Sequence, residues 1–225
     1  MQAIMETGFD IIYLCTVIFL GVQMIKGAKK EQTRLFGIMA VVLGGGDAFH
    51  LIPRAYALCT DGLEAHVQAL GTGKLITSIT MTIFYLILYY IWRKRYQIEG
   101  RKNLTIIMYA LAIIRIVLCL FPQNKWISAD APLSWGIYRN IPFAIMGIFI
   151  IVLFYQEAKR NHDISFRFMW LAIILSFGFY IPVVLFADVI PLLGMLMIPK
   201  TCAYVWIVFM GYLEWREENK LVSEF

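Results

Sequence analysis

The chain has 225 residues, 60% of them hydrophobic and only 16% charged, with a formal charge of +5. Together with a mean hydropathy of +0.72, this excludes the balance of a water-soluble domain and points to a bilayer. Most of the positive charge falls in short connections and no basic face continues through a soluble domain, which argues against a nucleic-acid surface.

A membrane-spanning helix needs roughly 20 apolar residues. Seven such stretches follow in chain order: 8–25, 35–58, 70–92, 104–121, 135–155, 168–186 and 190–213. None alternates apolar and polar residues as a barrel strand does. The expected fold is therefore all-α, with 1–225 forming one integral membrane domain of seven transmembrane helices.

The N-terminal MQAIMETGFD, which leads into the first span, has neither a basic n-region nor a small-residue cleavage site, so that span is expected to be retained. Lys26, Lys29, Lys30 and Arg34 separate spans one and two. Arg93, Lys94, Arg95, Arg101 and Lys102 follow span three, Lys159, Arg160 and Arg167 follow span five, and Arg216 and Lys220 close the chain. All of these fall on one side. The positive-inside rule makes that side cytoplasmic, with the N-terminus outside and the protein multi-pass in the cell membrane.

The second span holds "GGGDAFHLIPR", residues 44–54. Asp47 lies near the middle, and His50 and Arg54 follow at i+3 and i+7, so the three share one helix face. An ionised group near the bilayer centre costs roughly 2.5 to 3.5 kcal/mol, so each one calls for a partner or a use. The neighbouring glycines allow another helix to come close to Asp47.

Later spans add Lys74, Arg115, Arg139 and Lys200. Arg54, Lys74 and Arg139 lie near outer helix ends, where long side chains reach headgroups. Arg115 lies about 9 Å, and Lys200 about 14 Å, below the outer ends of spans four and seven at 1.5 Å per residue. Snorkelling does not explain these two. Pro142, Pro182 and Pro199 are expected to bend their helices, Pro199 beside the Lys200 ammonium.

These positions predict an outward-opening cationic pocket inside the membrane. Five cations against the single carboxylate of Asp47 ask for an anion, and arginine forks fit phosphate and carboxylate heads. Arg54, Lys74, Arg115, Arg139, Asn140, Tyr180, Lys200 and Tyr204 are the expected ligand-binding residues. Asp47 and His50 are the expected catalytic pair, should the pocket activate water. His66 and His162 fall in loops and Cys15, Cys59, Cys119 and Cys202 lack ligand spacing, so no metal and no cofactor is expected. The expected partners are membrane lipids and an anionic or amphiphilic small molecule, not nucleic acid.

The order of a first helix, a basic loop, a helix with "GD" and then "LGTGKLITSITMTIFY" resembles the early part of the bacterial lysoplasmalogenase family. That resemblance covers about the first ninety residues and implies a multi-spanning hydrolase of lysophospholipid-type lipids, with Asp47 on the family's glycine-aspartate motif. The histidine of the next helix, the later serine-aspartate motif and one helix have no counterpart here. Three helices, a linker and three more also give a layout similar to SWEET-type carriers and microbial rhodopsins. A shift of 133 residues sets Gln23 on Gln156, Lys26 on Lys159 and Arg34 on Arg167, as a parallel 3+1+3 repeat would. Transport of a small anionic solute is the alternative function.

Overall fold

A computed structural model describes residues 2–187 and 189–223. It contains seven long helices and no strand among the described residues: α1 Gln2–Gly27, α2 Glu31–Cys59, α3 Val67–Arg95, α4 Lys102–Leu120, α5 Leu133–Arg160, α6 Met169–Phe186 and α7 Met197–Ser223. All seven are long and apolar enough to cross a membrane. The chain is a multi-pass integral membrane protein.

Successive helices pack side by side around a ring that α1 closes against α7, while α2 also reaches α7 and α3 reaches α5. Their outward faces carry large apolar side chains such as Ile12, Phe19, Ile113 and Ile148. Their inward faces bury Phe84, Tyr85, Leu88, Trp92, Phe154 and Tyr204. In a bilayer the outer apolar face needs no cover, so close packing and interior polar contacts must define the ring.

The glycine run in α2 shows how. A Cβ on Gly44 would lie 2.7 Å from Ile18 of α1, and one on Gly46 would collide with Thr80 of α3, whereas Gly45 faces open space. The Thr77 hydroxyl donates to the Gly46 carbonyl at 3.1 Å. Two of the three glycines therefore seat a helix on each side of Asp47.

Helices run a few residues past the apolar stretches at the basic end, because polar residues such as Arg93–Arg95 continue the helix outside the hydrocarbon. There Arg95 of α3 grips the Asp163 carboxylate of the α5–α6 connection at 2.8 and 2.9 Å and also holds Glu214 of α7. Tyr96 donates to Asp163 at 3.0 Å, and Thr33 of α2 donates to Glu218 of α7 at 2.6 Å. Burial alone would raise the Asp163 carboxyl, but the hydrogen bonds and charge of Arg95, with those of the Phe166 amide and Tyr96, hold it below its ordinary range. This end of the bundle is latched by side chains from four segments.

The seventh span departs from the expected continuous helix. Residues Pro191–Leu196 form a 3-10 segment, and the α-helix starts only at Met197. Pro199 thus lies in the first turn, where its missing N–H leaves no bond unmade, and it does not bend the helix interior. Lys200 stands one turn into α7, not deep within a longer helix. Pro142, Pro182 and Pro53 lie inside α5, α6 and α2, and each helix continues through its proline.

Candidate functional site

The α1–α2 hairpin sets the first half of the site. The Tyr13 hydroxyl donates to Asp47 Oδ2 at 2.6 Å, and Arg54 Nη2 pairs with Glu6 Oε2 at 3.0 Å. Two contacts seven residues apart on each helix are what an antiparallel register of equal pitch requires. The same register sets Asp10 opposite His50. Asp10 lies within electrostatic reach of Arg54, Glu6 and Asp47.

Glu6 and Asp10 change the charge balance expected of this wall. Instead of one carboxylate, three occupy it, and Arg54 is neutralised by Glu6. The signal was present in the sequence: Glu6, Asp10 and Tyr13 at i, i+4 and i+7 form a polar stripe matching that of α2.

Across the ring, Lys200 of α7 is the cation with the strongest influence on Asp47. No direct ion pair to Asp47 within 4.0 Å occurs among the described residues. The Lys200 ammonium lies 4.9 Å from the centre of the Tyr180 ring and 5.5 Å from that of Tyr204. Tyr180 in turn donates to Asn140 Oδ1 at 3.2 Å. Asp47, Lys200, Tyr204, Tyr180 and Asn140 therefore form one connected set spanning α2, α5, α6 and α7.

Arg115 of α4 is the most deeply placed cation, with 2% of its surface exposed. Its guanidinium carbon sits 3.4 Å from the centre of the Phe143 ring, and its polar surroundings are the phenols of Tyr180, Tyr204 and Tyr85 and the Cys119 thiol one turn along α4. Nε and Nη1 have no hydrogen-bond partner among the described residues. Nor have the buried Tyr85 hydroxyl and the Ser176 hydroxyl, which lie close to each other and to Tyr204 without forming a well-directed bond. Sequence reading did not single out Tyr85, Phe143 or Ser176, because one hydroxyl or ring on an apolar helix is ordinary until its surroundings are known.

Buried donors are nearly always satisfied, since leaving one unmade costs about 1–3 kcal/mol, and more for a charged group. The unpaired Nε and Nη1 of Arg115, beside the hydroxyls of Tyr85, Ser176 and Tyr204, form a group of donors from α3, α4, α6 and α7 that an acceptor-rich anion would complete.

The remaining expected residues sit around this set, with Arg139 within electrostatic reach of Tyr180. Arg139 donates to Asn124 Oδ1 at 2.8 Å and stacks 4.2 Å from Trp126, so it braces the α4–α5 connection. Lys74 is exposed on α3. His50 has a buried Nδ1 without a partner and is surrounded by the charges of Lys74, Arg54 and Lys200. No group of three or more potential metal ligands occurs among the described residues.

No family model matches the chain, and no curated protein or solved structure matches it either.

Proposed function

We propose that this chain is a membrane carrier that binds an anionic or amphiphilic ligand in the half of the bundle away from the basic end. The observation behind this reading is Arg115: a guanidinium buried inside the helix bundle, over the Phe143 ring, with Nε and Nη1 both unpaired. Lys200 adds a second positive charge, and Asp47 limits its cost while no anion is bound. The latch of Arg95, Asp163 and Glu214 at the opposite end supports a form closed at that end, which leaves access from the other side. By the positive-inside rule, the accessible side is the outside.

Hydrolysis of a lysophospholipid-type lipid is the second reading, and it draws on the "GD" resemblance around Asp47. It is less well supported. A base must be free to take a proton from water, yet Asp47 already accepts from Tyr13, and His50 lies among the cations Lys74, Arg54 and Lys200.

The test is exchange of labelled benzoate and labelled phosphate monoesters by protein reconstituted in neutral vesicles. Carrier function predicts saturable exchange that Arg115→Gln removes. If wild type exchanges none of them, but cleaves lysophospholipids in a manner lost in Asp47→Asn, the hydrolase reading replaces it.

A further inference from the structure

Between α5 and α6 lies a cleft of about 150 Å³ whose walls include Ile141, Phe143, Ala144, Tyr180, Ile181 and Val184. Ile141 and Ile181 on its rim are 50% and 47% exposed, so the cleft opens on the outer face of the bundle, where acyl chains would lie. Its polar side chains are Asn140 and Tyr180, which are bonded to each other across it.

Two of its wall residues are also the platforms of the buried cations. Phe143 lies under the Arg115 guanidinium, and Tyr180 lies under the Lys200 ammonium. The inner side of the cleft is therefore one aromatic ring thick. Behind that ring stand the unpaired Nε and Nη1 of Arg115. Pro142 adjoins Phe143 on α5, and Pro182 adjoins Ile181 on α6, so each wall carries a proline whose backbone cannot donate a helical hydrogen bond. Missing bonds of this kind let transmembrane helices bend.

We infer that the α5–α6 cleft is the lateral portal and tail site for a single-chain amphiphile with an anionic head, the head reaching Arg115 and Lys200 past Phe143 and Tyr180. This rests on the anion-binding reading of Arg115 given above. An apolar slot would hold any hydrocarbon, but the adjoining positive charge selects an anionic head over a neutral or cationic one. The small volume leaves no room for the two chains of a bilayer phospholipid and holds part of one, the rest lying along the apolar outer face.

The probes are labelled dodecanoate and labelled butanoate, bound to full-length protein in neutral lipid nanodiscs, with dodecanol and dodecylamine as competitors. Dodecanoate is expected to bind saturably and at least tenfold more tightly than butanoate, and to resist both competitors. Dodecyl phosphate and a lysophospholipid with an anionic head should each displace it, whichever source supplies the natural ligand. Ala144→Trp, which fills the slot, should remove the chain-length preference and leave butanoate binding intact; Val184→Phe should do the same if the first variant does not fold. Arg115→Gln should remove both. In wild type, dodecanoate bearing a diazirine at its tail end should label α5 and α6 side chains of the cleft.

Tail labels confined to other helices, or unchanged chain-length preference in a folded slot-filling variant, would overturn the portal while leaving the anion site standing. Absence of saturable binding for both acids and dodecyl phosphate would remove the anion reading, and the portal with it.

Discussion

The guanidinium carbon of Arg115 lies over the Phe143 ring, 3.4 Å from its centre, while its Nε and Nη1 meet no acceptor among the described residues. A cation over an aromatic face gains about 2 kcal/mol when desolvated, well short of what burying an unpaired charge costs. Arg115→Leu is therefore expected to leave stability unchanged or raise it by about 1–4 kcal/mol, while abolishing anion binding. Unfolding in neutral detergent without added anion measures the first effect. A clear loss of stability would mean that Arg115 has a structural partner.

The positions of the seven spans were legible because every one is a long apolar run, and the bilayer requires each backbone to satisfy itself as helix. The start of α7 was not, because hydropathy does not distinguish a 3-10 segment from an α-helix, and Pro191 and Gly194 could have belonged to either. Asp47, Arg115 and Lys200 were legible through the cost of charge in hydrocarbon. Arg139 follows the same logic but ends in a connection, since one long side chain can reach several partners. Glu6 and Asp10 escaped notice because acids near an outer helix end resemble solvated ones until the opposing helix brings Arg54 to them. Tyr85 and Ser176 became informative only when three helices had packed around their unpaired hydroxyls.

Tyr13 and Asp47 form a second pair whose strength can be measured. Tyr13 is 3% exposed, so Tyr13→Phe keeps the ring and removes only the 2.6 Å hydrogen bond to the carboxylate. Hydrogen bonds to charged groups contribute about 1.5–3 kcal/mol, and the substitution should destabilise by that amount. In an Asp47→Asn background the same change should cost clearly less. Equal costs in both backgrounds would show that the two side chains are not coupled.

Close approach of α3 to the α4–α5 connection gives a backbone test. A Cβ on Gly71 would run into the carbonyl of Trp126, whose ring is itself fixed by its Nε1 donating to the Cys119 carbonyl at 2.8 Å. Backbone cannot swing aside as a side chain can, so Gly71→Ala should cost about 1–3 kcal/mol, as overpacking does. Gly45→Ala, whose Cβ meets nothing within 4 Å, should instead be neutral or stabilise by up to about 1 kcal/mol through helix propensity. Thermal unfolding of the two variants side by side checks both signs.

The latch at the basic end should be sensitive to acid. Asp163 is held below its ordinary range in the folded protein against the opposing effect of burial, chiefly by Arg95. Its unfolded value is about 3.9. A carboxyl with a depressed folded value contributes stability in full above the unfolded value and loses it as pH falls through the folded one. Stability should thus start to decline near pH 4 and continue to fall below it, as protonation frees Arg95 from one of its two carboxylates and leaves Glu214. Asp163→Asn should be less stable at neutral pH and show a shallower decline below pH 4. Unfolding followed between pH 3 and pH 7 in both proteins measures the difference, and parallel curves would show that Arg95 draws no stability from Asp163. Because the latch joins α3, the α5–α6 connection and α7 through this one guanidinium, a carrier that opens at the basic end would have to break it, so Asp163→Asn should also speed anion exchange if breaking the latch limits the rate.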